Sequence, residues 1–478
     1  MPITRRQFIK RTGAITAGTL LGPNLWSNAF VRQAMATQLA NKYFVVIFLD
    51  GGNDGLNTVI PVDEGGDTLR TAYEAARNTG GGGLRITPAQ LGATLIGTDP
   101  GSGAQLALHP GFVNGMKVLY DAGKVAVIQG CGYPSYSLSH DESRNIWRTA
   151  NPAGLPAYGA NGWVGRYFGA PGNYGPTNIP GLTVSDSVAG EFRTTATSVL
   201  AVQRLRDFGF PYDEDYSFDD TAKHDGFNSL CLAATSNAQS TLSYLGASGK
   251  ATLDASEAYP PLHSYYNNAS RGFDPGQYDI LDTSTARNLR EVAKVIYGVE
   301  QGIPNVGGRV FELSNGGYDT HSDQGAAELD GRQYGLHREV GDALKLFYDD
   351  LADMGVASKV TVLVWSEFSR RVEQNGSGTD HGSQGPMFVI GGSVVGGVYG
   401  KHPNINASAL DAYGNTPYRQ GPPATAFRST DFRDVYGTLL KHWMGVTPAE
   451  ITASVLPLDA GDPNLYWTAP QFDLGFLA

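Results

Sequence analysis

The fold is decided by a stretch that reads Lys359-Val-Thr-Val-Leu-Val364 and continues as Trp365-Ser366-Glu367-Phe368-Ser369-Arg370-Arg371, with Thr379-Asp380-His381-Gly382 a few residues later. The β-branched apolar run predicts a fully buried strand. In open α/β sheets, ligands bind beyond the carboxyl ends of the strands. Glu367, Asp380 and His381 therefore stand where oxygen and nitrogen ligands for Zn, Mn or Mg would be expected. A loop with an isolated surface Asp-His pair is the competing interpretation.

Two other predicted strands end in the same way. Residues 43–49, Tyr-Phe-Val-Val-Ile-Phe-Leu, lead into Asp50-Gly-Gly-Asn-Asp54, where glycines let the chain turn sharply and bring two carboxylates together. Residues 308–313 lead into a loop with Asp319 and His321, whose spacing of two places both side chains on one side of an extended backbone. An ordinary Gly/Asn/Asp turn is the alternative at the first of these sites.

A fourth strand end carries hydroxyl groups. The run at 124–128, Lys-Val-Ala-Val-Ile, opens into a loop with Ser137, Ser139 and His140, followed by the start of a helix. The amides and dipole at a helix N-terminus stabilise an anion or an activated alkoxide. Simple N-capping by Ser137 or Ser139 explains the same pattern and stays open.

Residues 1–36 have the features of a twin-arginine (Tat) signal peptide. Thr4-Arg5-Arg6-Gln7-Phe8-Ile9-Lys10 is followed by a short apolar segment and by the small residues Ala34-Met35-Ala36. We therefore predict export by the Tat translocase to the periplasm or the cell exterior. No later segment is apolar enough to suggest a membrane span in the mature chain.

The charge of the chain argues against one class of partner. Residues 1–36 hold five basic residues and no acid, so the remainder carries a net charge of −16 where the full chain carries −11. A surface this acidic repels phosphate backbones, and nucleic-acid binding is not expected. Cys131 and Cys231 are the two cysteines, too few for a disulfide framework.

The order of the elements predicts an α/β fold. Residues 335–354 have helical apolar spacing between two predicted strands, which completes a strand–loop–helix unit. We expect residues 37–150 and 301–478 to form the core. Residues 151–300, rich in Asn, Tyr, Pro and Gly and then helical, are expected to form an inserted cap region.

The motifs resemble those of a known family. The run 49–61, Ser137-Leu-Ser-His140, Tyr318-Asp-Thr-His-Ser322, Glu367-Phe-Ser-Arg370 and Thr379-Asp-His-Gly382 are similar to a Tat-exported bacterial family catalogued as domain of unknown function 1501. More loosely, the four strand ends resemble the alkaline phosphatase–sulfatase superfamily. That resemblance implies an alkaline-phosphatase-like core with a largely parallel sheet flanked by helices.

The resemblance also implies a function. We expect an exported metal-dependent hydrolase, or transferase, that acts on phosphate or sulfate esters of an anionic or glycan substrate. One or two divalent ions (Zn, Mn, Ca or Mg) would activate a serine nucleophile. The metal ligands it implies are Asp50, Asp54, Asp319, His321, Glu367, Asp380 and His381.

Four residues are assigned to catalysis by the same resemblance. Ser139 is the expected nucleophile with Ser137 as the alternative, His140 is a ligand or proton carrier, and Arg370 clamps the anionic oxygens of the substrate. Because the family often has Arg at the position of Asp50, Asp54 is the alternative ligand there. A second interpretation stays open, in which the site is catalytically degenerate and the exported protein binds metal or polysaccharide in the cell envelope.

Overall fold

The computed structural model describes a large part of the chain. The described residues are 39, 41–66, 68–78, 83–134, 136–152, 160–170, 174–175, 178–210, 220–326, 328, 331–403, 405, 428–456, 467 and 470–477. The predicted signal peptide, residues 1–36, lies outside them.

Twelve strands form two sheets in the described part of the chain. They are β1 (Tyr43–Asp50), β2 (Val59–Pro61), β3 (Leu95–Thr98), β4 (Gln105–Leu108), β5 (Val125–Gly132), β6 (Gly181–Thr183), β7 (Val199–Ala201), β8 (Val310–Gly316), β9 (Val360–Trp365), β10 (Gly385–Gly391), β11 (Gly397–Tyr399) and β12 (Thr430–Asp431). The main sheet has the order β11-β5-β10-β9-β1-β8-β6-β7, with β12 beside β5, and β2-β4-β3 form a small second sheet.

The helices of the described residues lie mainly between these strands. They are α1 (Leu69–Arg77), α2 (Pro88–Leu91), α3 (Met116–Asp121), α4 (His140–Thr149), α5 (Trp163–Gly169), α6 (Asp220–Thr235), α7 (Ser240–Ala258), α8 (Leu262–Asn267), α9 (Gln277–Leu281), α10 (Ser284–Glu300), α11 (Arg332–Asp353), α12 (Phe432–Thr438) and α13 (Pro448–Glu450). Two π-helical turns, Leu439–Trp443 and Ile451–Val455, continue α12 and α13.

The centre of the main sheet is parallel. β1 pairs in parallel with both β8 and β9, and all but one residue of β1 and every residue of β9 are buried. Only β10 runs against its neighbours β9 and β5 among the described pairings of the main sheet. Strands covered on both faces need apolar side chains throughout, which explains the continuous runs in the sequence. The predicted α/β fold, with a largely parallel sheet flanked by helices, is confirmed.

Alternation along β1 divides the core into two layers. Val45 and Ile47 pack in one apolar cluster with residues of α10 and α11. Val46 and Phe48 pack in a second cluster, with residues of α4, α5 and α12. Successive side chains of a strand point to opposite faces, so helices cover both sides of the sheet.

The region 151–300 is in part continuous with this sheet. β6 and β7 belong to it, and β6 pairs in parallel with β8. The helix α10 buries Leu289 and Val292 in the same apolar cluster as β1 and β8. The boundaries of a separate cap at residues 151 and 300 stay a prediction.

Within the described residues, no helix combines the length and apolarity needed to cross a membrane.

Candidate metal centre

Four strands deliver the candidate residues to one edge of the sheet. β8 and β9 run parallel to β1, and β5 shares their direction because the antiparallel β10 separates it from β9. Their carboxyl ends therefore meet at one edge, as expected from the sequence. The loop after β5 leads into α4 at His140.

Three side chains at this edge converge closely enough to share an ion. One ligating atom from each of His140, Asp319 and His381 lies within 4.8 Å of the other two. A fourth ligand lies beside them, since the Nε2 atom of His321 is 2.9 Å from Nε2 of His381 and 3.2 Å from a carboxylate oxygen of Asp319. The structure thus brings together Asp319, His321 and His381 of the predicted metal ligands with His140.

The other ring nitrogen of each histidine is held by an oxygen. Nδ1 of His140 lies 2.8 Å from Glu367, and Nδ1 of His321 lies 3.1 Å from Asp380. Nδ1 of His381 lies 2.6 Å from the carbonyl oxygen of Leu138. Because these oxygens accept hydrogen bonds, they favour a proton on Nδ1 and leave the Nε2 lone pairs facing one another. This is the arrangement found around histidines that bind metal.

The donor set fits a cation. Nε2 of His140 is buried without a hydrogen-bond partner among the described residues. Two Nε2 lone pairs 2.9 Å apart, as in His321 and His381, need a shared proton or a positive ion between them. Three imidazoles and a carboxylate suit Zn better than Ca or Mg, which prefer oxygen ligands.

The charges around Asp319 keep it ionised. Burial by itself raises the pKa of Asp319, but the hydrogen bond and charge of Arg370, with smaller contributions from His321 and His140, lower that pKa to about 2. The hydrogen bond to Glu367 is the largest influence on His140 and raises its pKa, against the opposite effect of burial. Burial lowers the pKa of His381. The centre therefore presents an ionised carboxylate, and burial favours the neutral form of the His381 imidazole.

Arg370 lies beneath this cluster and not at its surface. Its side chain is buried, and it donates to the carbonyl oxygens of Gly52 at 2.7 Å and Thr379 at 2.9 Å. It also donates to Asp319 at 2.7 Å. These bonds tie together the loops after β1, β8 and β9. The role of substrate clamp stays a prediction, and the guanidinium is committed to protein oxygens in this geometry.

Glu367 and Asp54 are also committed to protein partners. The fully buried Glu367 accepts from the amide of Gly51 at 3.0 Å and of Gly52 at 3.1 Å, in addition to His140. Asp54 is buried in a bidentate ion pair with Arg77 and accepts from Gln324 at 2.7 Å. Their predicted metal roles stay predictions. In this structure Glu367 contacts Nδ1 of His140, and both carboxylate oxygens of Asp54 contact Arg77.

Asp50 forms a second polar group at this edge, with Arg144 of α4. Nη2 of Arg144 lies 2.7 Å from Asp50, and 27% of the Arg144 side chain is exposed. Burial raises the pKa of Asp50 while the positive charge of Arg144 opposes this. Arg144 is not among the residues predicted from the sequence. Its spacing of four from His140, which places both on one helix face, was the available signal.

The two predicted serines flank the start of α4. Ser137 donates to Glu142 at 2.8 Å and accepts from the amide of Ser139 at 3.1 Å. Ser139 is exposed and is the N-cap of the helix, with its hydroxyl accepting from the amide of Glu142 at 3.5 Å. Ser139 directly precedes the cluster member His140. Both the nucleophile and the capping interpretations are compatible with this position.

The turn after β1 requires glycine. Gly51 and Gly52 have φ angles of +122° and +78°, which L side chains rarely adopt. A Cβ atom on Gly52 would lie 2.3 Å from the ring of Phe368. That ring packs against His140 and His381, with centroids 4.8 and 4.7 Å away. The glycines therefore let the β1 loop approach the aromatic support of the metal centre.

Comparison with known families gives one match. A family model described as "Protein of unknown function (DUF1501)" matches residues 300–416, which include Asp319, His321, Asp380 and His381. The resemblance to that family is confirmed for this part of the chain. No curated protein matches the chain.

Solved structures with a similar arrangement are distant. The lipoteichoic acid synthase LtaP from Listeria monocytogenes is 9% identical with a TM-score of 0.25, over 75% of this chain and 68% of that one. An engineered variant of the alkaline phosphatase PafA is 9% identical with a TM-score of 0.28, over 69% and 63%. The phosphonate monoester hydrolase of Agrobacterium radiobacter is 10% identical with a TM-score of 0.30, over 86% and 76%. A likeness at this level does not fix an activity.

Proposed function

We propose that the protein is a metal-dependent hydrolase or transferase of phosphate or sulfate esters. The observation that supports this most strongly is the convergence of three histidine Nε2 atoms on Asp319, with each Nδ1 atom held by an oxygen. We assign His140, Asp319, His321 and His381 as the ligands and Zn as the first ion to test. Such an ion would polarise an ester oxygen and lower the pKa of an attacking hydroxyl.

The residues around the ligands fix their orientation. Glu367 and Asp380 hold the rings of His140 and His321, and Arg370 holds Asp319 through its carboxylate. Outer partners of this kind typically contribute about 10–100-fold to metal affinity. We therefore assign Glu367, Asp380 and Arg370 as positioning residues of the same centre.

Binding of the anionic ester would fall to Arg144. Its guanidinium is partly exposed, lies one helical turn from His140 and, among the described residues, donates one short hydrogen bond, to Asp50. A fork of N–H donors at this place suits a phosphate or sulfate group. When substrate binds, its oxyanion would replace the Asp50 carboxylate as the partner of Arg144, so the guanidinium would have an anionic partner both before and after binding.

Ser139 is the proposed nucleophile because it is exposed at the N-terminus of α4, next to His140. The test is turnover of a panel of phosphate and sulfate esters by the zinc-loaded protein, wild type beside Ser139→Ala, Ser137→Ala and the double variant. We expect Ser139→Ala to lose at least about 100-fold in kcat, with Ser137→Ala closer to wild type. Full activity in all three variants would exclude a serine nucleophile.

One observation favours a second candidate, a degenerate site that binds metal or polysaccharide without turnover. The hydroxyls of Ser137 and Ser139 are both engaged at the helix start, and Arg370 is enclosed. Stoichiometric metal with no turnover of any ester on the panel, together with binding of an acidic glycan, would support this candidate.

Export belongs to the proposal as well. The twin-arginine motif at residues 4–10 supports delivery to the periplasm or cell exterior by the Tat translocase. Replacement of Arg5 and Arg6 by Lys should retain the protein in the cytoplasm, as fractionation and immunoblotting would measure. Export of the double variant at the wild-type level would contradict this route.

A further inference from the structure

A cavity of about 450 Å³ lies at the same edge of the sheet as the metal centre. Val184, which directly follows β6, and Ser314 of β8 are among the residues that line it. β8 lies between β1 and β6 in the sheet. Since neighbouring strands lie about 4.8 Å apart, β6 is displaced by about 10 Å from β1 across this edge.

The lining of this cavity is basic, although the protein is acidic. Five basic side chains and three acidic ones line it, and with His263 neutral they give a net charge of +2 in a chain of net charge −11. The basic residues are Arg204, Arg206, Arg287, Arg290 and Lys294. Walls of one charge sign around a cleft concentrate the field and attract ligands of the opposite sign.

The acids of the lining leave some of its donors unused. Arg290 lies 2.7 Å from Asp279 through Nη1, but its buried Nε has no hydrogen-bond partner among the described residues. The buried Nδ1 of His263 likewise has none. The side chain of Arg204 is exposed and has no hydrogen bond or ion pair to any described residue. Buried donors without partners are uncommon in folded proteins and call for an acceptor.

Two buried charged residues, Glu291 and Lys294, also line the cavity. Lys294 is 2% exposed and lies 2.5 Å from Glu291, whose other oxygen accepts from the amide of Leu205 at 2.9 Å. Burial lowers the pKa of His263, and the charges of Lys294 and Arg290 lower it further. The basic groups therefore impose a positive potential inside the cavity, not only at its rim.

We propose that this cavity binds an oxyanion group of the phosphate or sulfate type. Resting on the proposed function, we further assign that group to the substrate, so that an ester processed at the metal centre carries a second anionic group. The substrate class would then be a multiply phosphorylated or sulfated molecule, such as a polyanionic glycan. Arg204 and Arg287, both exposed, would receive the group at the cavity mouth, and Arg290 would contact it inside.

The first arm of the test measures anion binding alone. Inorganic sulfate is titrated calorimetrically into wild type and Arg204→Gln/Arg287→Gln at constant ionic strength. We expect at least a tenfold weaker association in the double variant. Arg85→Gln removes one charge from a partly exposed, paired arginine that does not line the cavity, and it should bind sulfate as the wild type does. Equal sulfate binding by the double variant and the wild type would overturn the site.

Folding of the double variant is controlled separately. Arg204→Gln alone removes a side chain that has no hydrogen bond or ion pair to a described residue, so its thermal unfolding should match that of the wild type while sulfate binding weakens. Unchanged binding in this folded single variant and in any folded Arg287→Gln variant would overturn the site even if the double variant fails to fold.

The second arm tests the assignment to the substrate. With zinc-loaded protein, the double variant should lose at least tenfold in kcat/KM for a sugar bisphosphate and keep its value for the monophosphate. Equal loss for both esters, or for neither, would overturn the assignment to substrate and leave the anion site standing on the sulfate result. Absence of turnover of any ester by the wild type would instead refute the proposed function, and the sulfate arm would still decide the site.

Discussion

Asp54 shows how one carboxylate can serve structure or metal binding. Its ion pair with Arg77 is enclosed on both sides, and loss of one partner leaves a buried charge uncompensated. Such losses cost about 3–5 kcal/mol. The turn that carries Asp54 was predicted from the sequence, but its ion pair with Arg77 of α1 was not.

Asp54→Asn separates the two roles. We expect the free energy of unfolding in urea to fall by about 3–5 kcal/mol, with metal content of the folded protein retained. The matched control is Asp121→Asn, which removes the exposed partner of an i,i+4 pair with Lys117 and should cost about 1 kcal/mol or less. Loss of metal at unchanged stability would contradict the structural role and make Asp54 a ligand.

Glu312 is a residue whose ionisation opposes folding. It is buried in β8, and burial together with the nearby charge of Glu191 raises its pKa from 4.5 to about 8, against the opposing charge of Arg148. Between these values the unfolded chain has released the proton and the folded chain still holds it. The contribution of Glu312 to stability is therefore complete below about pH 4.5 and is lost as the pH rises towards 8.

Glu312→Gln should remove this loss. We expect the variant to gain stability relative to the wild type as the pH rises from 4.5 to 8, which thermal unfolding across that range would measure. The difference between the two profiles reports the ionisation of Glu312 together with its effect on the neighbouring Glu191. Parallel profiles over the whole range would contradict the raised pKa.

At the scale of elements, the turn after β1 couples the sheet to the metal centre. Gly52 makes room for Phe368, and Phe368 supports His140 and His381. Gly52→Ala should therefore lower both metal affinity and stability. Gly376→Ala is the matched control, since Gly376 has a φ of +99° with open space around its Cβ position.

The two alanine variants separate strain from contact. Both should lose about 1–3 kcal/mol through the unfavourable φ angle. Only Gly52→Ala should also weaken metal binding, measured by competition with a chromogenic chelator. An equal effect of both variants on metal affinity would contradict the role of the Phe368 contact.

The elements themselves could be predicted unevenly from the sequence. The strands β1, β5 and β9 were predictable because strands buried on both faces need continuous apolar runs. The two helices α6 and α7 were less predictable, because the sequence indicates helix within the region 151–300 without marking the break between them at residues 236–239. The short strands β6 and β7 carry too few residues for a periodic signal, and pairing with β8 is what makes β6 a strand.

At the scale of the molecule, the site depends on contacts that sequence order does not reveal. The spacing of Asp319 and His321 and the Asp380-His381 pair were readable, since each lies within one loop. The support given to His140 by Glu367 joins residues 227 positions apart and follows only from the closure of the sheet. Closure of the sheet also buries Arg370 between three loops. This burial was not predicted from the sequence, where Arg370 lies next to a polar loop.

The central claim is that His140, Asp319, His321 and His381 hold one metal ion. The most direct measurement is the metal content, by elemental mass spectrometry, of the purified mature protein, with His381→Gln and His442→Gln alongside. His442 is partly buried beside the exposed Asp473, outside the cluster, and serves as the matched control. We predict stoichiometric metal, zinc first, in wild type and His442→Gln and its loss in His381→Gln. Absence of bound metal in the wild type after loading with zinc and manganese, or full retention in His381→Gln, would contradict the account.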